Sequence, residues 1–133
     1  METPDPTGDL VAYFTRYGAA FEAFDADAIA AHFALPALFV RDGVPVRVDA
    51  PDALRESVEA LLALHRAWDV EKAQIEALTE LERAPNHRIV RVDWRLGRRV
   101  SRLGWSYPTT YVLVPDAEDS WLLAAALTHD APF

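Results

Sequence analysis

Hydrophobic positions in the first part of the chain recur with the period of an α-helix. The apolar positions are 10, 14, 17, 18 and 21, and their spacing predicts a helix whose buried face carries Tyr17. Thr7 or Asp9 is suited to cap this helix. Residues 1–8 are therefore predicted to be a flexible lead, and residues 9–133 a single domain.

Two further helices are predicted before residue 70. Asp25 is a good N-cap for a short helix that ends before Pro36. The inner face of this second helix is expected to carry Ile29, His32 and Phe33. Pro51 introduces the longest helix, which we expect to close one side of the domain. The apolar stripe of the third helix consists of Leu54, Val58, Leu61, Leu62, His65 and Trp68.

Elsewhere the apolar positions alternate with a period of two. Residues 37–48 are predicted to form a hairpin around Asp42-Gly43, with Pro45 marking an edge strand. Four long strands are predicted at Glu71–Arg83, His87–Val100, Trp105–Val114 and Ser120–His129. In the second of them Val90, Val92, Trp94 and Leu96 form a dry face. Consecutive antiparallel strands after helices indicate an α+β fold.

Composition narrows the possible partners. The chain has 133 residues, 51% of them hydrophobic, and a formal net charge of -8, which argues against binding to a nucleic-acid backbone. It has no cysteine, and its acidic, proline-rich start is unlike a signal peptide. No apolar run approaches the roughly 20 residues that span a bilayer. We therefore expect a soluble cytoplasmic protein with no nucleic-acid or membrane partner.

The common catalytic and cofactor motifs are absent from the sequence. Its five glycines form neither a phosphate-binding loop nor a dinucleotide fingerprint, and no nucleophile elbow is present. His32, His65 and His129 are scattered rather than spaced as metal ligands. These observations predict no cofactor and no metal. Seven arginines lie between Arg83 and Arg102, which indicates either an anion-binding patch or a solvated sheet face.

Residues 16–40 resemble the opening of ketosteroid isomerases and of SnoaL-like polyketide cyclases, which belong to the nuclear-transport-factor-2-like (cystatin-like) superfamily. Residues 105–130 resemble the last two strands of these proteins. The resemblance implies a cone-shaped, curved antiparallel (mixed) sheet wrapped around three N-terminal helices, with a pocket inside. It also implies that Tyr17 stands where the isomerases have an oxyanion hydrogen-bond donor.

The two other isomerase positions differ. The place of the general base falls on Arg41, with Asp42 one residue later on the opposite side of the strand, and the place of the second donor falls on Thr110. Arginine cannot accept the proton at neutral pH. The chain is therefore not expected to be a ketosteroid isomerase, although relatives that use a histidine base make His32 or His65 candidates.

Three hypotheses remain open. The domain binds a small, largely apolar molecule; or it is a cofactor-independent isomerase, dehydratase or cyclase that uses Tyr17 with His32 or His65; or it is a homodimeric association module. The residues expected to line the pocket are Tyr17, His32, Phe33, Phe39, Trp68, Trp94 and Thr110. If Thr110 points inward, Trp105, Tyr107 and Tyr111 form an outer aromatic patch for a homodimer.

Overall fold

The computed structural model describes residues 8–98, 104–116 and 120–129. Within these ranges the helices are α1 (Gly8–Glu22), α2 (Ala26–Ala30) and α3 (Pro51–Ala67). The strands are β1 (Phe33–Arg41), β2 (Val44–Val48), β3 (Val70–Ala84), β4 (His87–Arg98), β5 (Gly104–Pro115) and β6 (Trp121–Thr128). No helix in the described part of the chain is long and apolar enough to cross a membrane.

The strands form one mixed sheet in the order β2-β1-β6-β5-β4-β3. Neighbouring strands run antiparallel, except that β1 and β6 run parallel. The inner face of the sheet packs on α1, and α2 and α3 pack on each other. The predicted α+β cone with a mixed sheet is confirmed.

α1 carries the predicted buried face. The five expected positions, Leu10, Phe14, Tyr17, Gly18 and Phe21, are all buried. Gly8 already belongs to the helix, and the rest of the predicted lead lies outside the described residues. The helical periodicity therefore gives the correct core-facing stripe.

The second helix is shorter than predicted. The Asp25 carboxylate accepts a hydrogen bond from the backbone nitrogen of Ala28 at 3.1 Å, as expected for an N-cap, but α2 ends at Ala30. His32 and Phe33 leave the helix because the His32 carbonyl accepts a 2.7 Å hydrogen bond from the backbone of Leu123 in β6. β1 then continues through Pro36, where its pairing with β6 is interrupted and no backbone donor is needed.

The other elements agree with the predictions within one or two residues, except that β1 begins at Phe33, four residues before the predicted start of the hairpin. Asp42 and Gly43 form the turn between β1 and β2 with φ of 52° and 75°, which suits a two-residue hairpin. Pro45 lies in β2, at an edge of the sheet. α3 buries Leu54, Val58, Leu62 and His65. The predicted end of the β4 strand, Val100, lies outside the described residues.

A bulge in β6 decides which side chains of this strand face inward. Val112 pairs with Ala125 and Leu113 pairs with Leu123, so Ala124 has no opposite residue. Inward-facing positions therefore change parity along β6. Leu123 is fully buried before the bulge, whereas Ala126 and Thr128 face the interior after it.

A buried ion cluster fixes α1 to the sheet. Arg88 of β4 is only 3% exposed and donates to Glu80 of β3 at 2.6 Å and to Asp9 of α1 at 2.7 Å. Its guanidinium also lies 5.3 Å from the ring centre of Trp121. One of the seven arginines of the 83–102 segment is thus buried rather than solvated. By contrast, Arg91 lies on the wet face and pairs with Asp93 at 3.0 Å.

Candidate functional site

A cavity of about 320 Å³ lies between α1, α3 and the inner face of the sheet. Its walls are mostly apolar. Among the predicted site residues, Tyr17, Phe33, Phe39, His65 and Trp94 line it. Arg41, Ser57, Tyr107, Thr109, Tyr111 and Thr128 supply the other polar or charged groups of its lining. No aspartate or glutamate of the described residues belongs to the lining.

Gly18 allows α1 to pack closely against the sheet beside this cavity. A Cβ on Gly18 would lie 2.8 Å from the Ala73 carbonyl oxygen in β3 and 3.0 Å from the ring of Trp94 in β4. The 2.8 Å contact with a backbone oxygen is shorter than real Cβ atoms show, so glycine is required for this approach. The helix that carries Tyr17 therefore lies directly against the wall that carries Trp94.

Tyr17 lies at the centre of an aromatic cluster. It is 5% exposed, and its ring makes edge contacts with Phe21 at 5.0 Å and with Tyr111 at 5.9 Å between centroids. Burial, with a smaller contribution from Tyr111, raises the pKa of Tyr17 well above 10. At neutral pH Tyr17 is therefore a protonated phenol that can donate a hydrogen bond.

Tyr111 and Trp94 hold each other in place in the same wall. The Trp94 indole donates a 2.8 Å hydrogen bond to the Tyr111 hydroxyl oxygen. Burial raises the pKa of Tyr111 as well, so this phenol also remains protonated at neutral pH. This hydrogen bond satisfies the indole donor of a tryptophan whose ring faces the cavity.

His65 of α3 faces the cavity across from the sheet. The side chain is 4% exposed, and its ring lies 5.1 Å from that of Phe21. Burial, together with the nearby cation of Arg41, lowers the pKa of His65 from 6.5 to about 4. The imidazole is therefore neutral at physiological pH.

Arg41, Thr128 and Thr109 form a row across three adjacent strands. Arg41 of β1 is the register partner of Thr128 in β6, and Thr128 is the register partner of Thr109 in β5. All three line the cavity. The Tyr107 hydroxyl lies 3.5 Å from Thr128 Oγ1. We call Arg41, Thr128 and Thr109 the polar row.

Thr109 is the most buried member of the polar row. It is 3% exposed, and its side-chain interaction with the Tyr111 hydroxyl offsets part of the effect of burial on the pKa of that phenol. Sequence reasoning missed this residue because it considered its neighbour Thr110 instead.

Three predicted site residues lie outside the cavity lining. The His32 ring lies behind Tyr17, 5.3 Å between centroids, and its Nδ1 donates to the Ala28 carbonyl at 2.8 Å. Trp68 packs on Trp105 at 6.1 Å between ring centroids, at the end of α3. His32 and Trp68 are therefore not among the residues that line this cavity.

Thr110, the third of these residues, lies on the outer face of the sheet. Thr110 points outward, where its Oγ1 lies 2.7 Å from His129 Nε2, because its register partner is the outward-facing Leu127. Tyr107 and Tyr111 consequently face inward, opposite Trp94 and Val90. The predicted outer aromatic patch does not form. The outward residues here are Val112, Val114, Leu122 and Leu127, all half-buried, which we call the outer patch.

The donor set does not suggest a metal site. No group of three or more histidine, aspartate or glutamate side chains in the described ranges is arranged to hold a metal ion. The lining instead offers hydrogen-bond donors, one guanidinium and aromatic surface. These groups favour noncovalent recognition of an organic molecule.

The sequence of the chain matches a known protein family over most of its length. A family described as NTF2-like protein (DUF6841) matches residues 8–131. The chain belongs to this family. No functionally curated protein matches this NTF2-like protein in sequence.

Solved structures agree with the family assignment at the level of the fold. A cystatin-like protein of unknown function from Nostoc punctiforme has a TM-score of 0.74 and 12% identity, covering 99% of this chain and 96% of that one. An NTF-2 like protein of unknown function from Shewanella oneidensis has a TM-score of 0.68 and 17% identity, covering 95% and 100%. A putative calcium/calmodulin dependent protein kinase II association domain from Xanthomonas campestris has a TM-score of 0.70 and 13% identity, covering 99% and 94%. At such identities the likeness concerns the fold alone.

Proposed function

We propose that this NTF2-like protein binds a small, largely apolar molecule in the cavity between α1, α3 and the sheet. The observation that carries the proposal is the cavity itself, about 320 Å³ with mostly apolar walls. Protein interiors are packed as densely as organic crystals, and few voids exceed the size of one water. A space equal to the volume of about ten waters is thus unusual for a purely structural core.

The lining matches the usual composition of a small-molecule site. Such sites combine hydrophobic and aromatic walls with a few placed polar groups. Here the aromatic walls come from Tyr17, Phe33, Phe39 and Trp94. The polar groups are the polar row, His65, Ser57 and the hydroxyls of the lining tyrosines. This arrangement supports binding and orientation of a ligand that is apolar over most of its surface.

A cofactor-independent isomerase, dehydratase or cyclase is the second candidate. Tyr17 and His65 favour it, because a protonated phenol and a neutral imidazole both line the cavity. A general base works best when its pKa lies near the working pH. His65, with a pKa of about 4, is a weak base at pH 7, and this weighs toward binding without turnover.

A fluorescence titration tests the binding proposal. The neutral probe N-phenyl-1-naphthylamine emits strongly when it enters an apolar site, and we expect saturable binding by the wild-type protein. Ala60 is exposed at the cavity opening on α3, so Ala60→Trp should obstruct entry and weaken binding about tenfold or more, or 1.4 kcal/mol. Ala63→Trp, an exposed position of the same helix outside the lining, is the matched control. An absence of saturable binding, or equal losses in the two variants, would contradict the proposal.

A further inference from the structure

We infer that the ligand of this cavity is an elongated apolar molecule, longer than the cavity itself. Its outer part extends through an opening between β2 and α3, where Val44 and Val46 cover it. The inference rests on the proposed binding function and specifies the shape of the ligand. Most of the lining side chains are buried or half-buried, and the exposed ones are Val44, Val46 and Ala60. The opening therefore lies between β2, which carries both valines, and α3, which carries Ala60.

The strand register continues the cavity wall outward from β1 onto β2. Phe39 and Arg41 of β1 line the cavity, and their register partners in β2 are Val46 and Val44. Side chains that lie opposite each other on neighbouring strands share a face of the sheet, with Cβ atoms about 5 Å apart. Val48 is on the same face and is 3% exposed, whereas Val46 is 49% and Val44 is 60% exposed. This face of β2 is therefore an apolar row that begins in the core and ends in the solvent.

Exposed valines are unexpected on a strand at the edge of a sheet. Edge strands are usually protected by charged side chains and prolines. β2 has both, Pro45 and Arg47, but they alternate with the valines and so lie on its other face. Exposed apolar surface that continues the wall of a cavity is typical of a ligand-binding groove. A chain that leaves the cavity along this face would cover both valines.

The opposite side of the opening is an apolar stripe of α3. Ser57, Ala60, Leu61 and Leu64 follow the spacing i, i+3, i+4, i+7, so they share one face of the helix. All four line the cavity, yet none is fully buried, in contrast to the core-facing stripe of the same helix. The small side chains of Ser57 and Ala60 leave space at the opening. A narrow chain between this stripe and β2 therefore has apolar contacts on both sides.

The volume of the cavity sets the length of chain that it holds. The cavity of about 320 Å³ has the volume of about ten water molecules, and a methylene group is close to water in size. A chain of more than about ten atoms therefore reaches the opening and lies across the two valines. Its outer end is in the solvent, so a bulky polar group attached there does not have to enter the cavity.

Two neutral probes of different length test the inference. 1-Heptanol is short enough to lie wholly inside the cavity. n-Dodecyl-β-D-maltoside has a longer chain and a disaccharide that is too large to enter, so it binds only if its chain emerges into the solvent. Affinities are measured by calorimetry and by displacement of N-phenyl-1-naphthylamine, with the maltoside below its micelle-forming concentration. We expect saturable binding of both probes, with the maltoside about tenfold or more tighter, because each further buried methylene strengthens binding by up to about fourfold.

Two double variants locate the outer part of the chain. Val44→Ser combined with Val46→Ser should weaken maltoside binding about fivefold or more, because the chain loses apolar contacts at the opening. The same variant should bind 1-heptanol as the wild type does, which also shows that its cavity is intact. Val11→Ser combined with Leu81→Ser is the matched control, since these side chains are 40% and 56% exposed but lie outside the lining. The control should bind both probes with wild-type affinity.

The outcomes separate the two proposals. If the wild type binds 1-heptanol but not the maltoside, or if the two double variants bind the maltoside equally, the elongated ligand is refuted while the binding function stands. If neither probe nor N-phenyl-1-naphthylamine binds saturably, the binding function itself fails. If replacement of Val44 and Val46 converts a dimer into a monomer in light scattering and leaves maltoside affinity unchanged, a second copy of the chain covers the valines, which overturns the inference.

Discussion

Lowering the pH from 7 to 5 should destabilise this fold through His65. The imidazole is 4% exposed, and burial, assisted by the Arg41 cation, lowers its pKa from 6.5 to about 4. Between these two pH values the unfolded chain binds a proton that the folded chain does not. The free energy of unfolding therefore decreases as the pH is lowered. Linkage then gives a loss of about 2 kcal/mol between pH 7 and pH 5, and about 3 kcal/mol once the pH is below 4.

Urea unfolding followed by tryptophan fluorescence measures this loss. With a urea m-value of roughly 2 kcal/mol/M, the midpoint should fall by about 1 M between pH 7 and pH 5. His65→Gln removes the titrating group and should flatten this dependence, whatever the stability of the variant at pH 7. Burial also lowers the pKa of His32, so a smaller slope should persist in the variant. Arg41→Gln should retain most of the slope, because burial is the larger cause.

The chosen pH window separates His65 from the carboxylates around Arg88. The hydrogen bond from Arg88 lowers the pKa of Asp9 below 3.8. Burial alone raises the pKa of Glu80, but hydrogen bonds from Arg88 and Arg83 more than offset it and hold it below 4.5. The stabilisation from these carboxylates is lost only as the pH falls through those lowered values. Equal pH slopes in the wild type and in His65→Gln would refute the assignment.

Four further outcomes are expected. Gly18→Ala should lower the free energy of unfolding in urea by about 1 to 3 kcal/mol, since its Cβ would lie 2.8 Å from a backbone carbonyl; a gain in stability would contradict this. Arg88→Met should cost about 2 to 3 kcal/mol in the same assay, because the largely buried Glu80 would keep only its pair with Arg83 and Asp9 would lose its pair with Arg88. The matched control Arg91→Met, on the solvated face, should stay within about 0.5 kcal/mol. The homodimer stays a prediction, now through the outer patch, and a monomer mass in light scattering at micromolar concentration would oppose it. No turnover of a Δ5-3-ketosteroid is expected, because Arg41 cannot act as the base; robust conversion in an absorbance assay would overturn that conclusion.

The elements that were predictable from the sequence are those determined by residues close together in the chain. Helical spacing from Leu10 to Phe21 is a property of one helix, and the Asp42-Gly43 turn is defined by two residues. Alternation in β4 likewise separates its buried Val92 from its exposed Arg91 without knowledge of any neighbour. Such features need no information about distant parts of the chain.

The errors concern facts that depend on distant pairing. The sequence predicts Phe33 on a helix, but pairing with the parallel strand β6, which is far along the chain, places it in β1. The bulge at Ala124 changes which parity of β6 faces inward, and a period-two pattern cannot locate it. The sequence predicts Arg88 to be one of a set of surface arginines, because its partner Asp9 lies 79 residues away. Charge and alternation in the sequence do not reveal these partners.

Arg41 bears on proton abstraction in two ways, of which the sequence reveals one. In the sequence it stands where the isomerases have their catalytic carboxylate, and a guanidinium cannot accept a proton at neutral pH. In the structure Arg41 also lines the cavity that contains His65, and its positive charge adds to burial in lowering the pKa of that imidazole to about 4. Exchanging the base for a cation therefore removes one route to proton abstraction and weakens the remaining candidate base, His65.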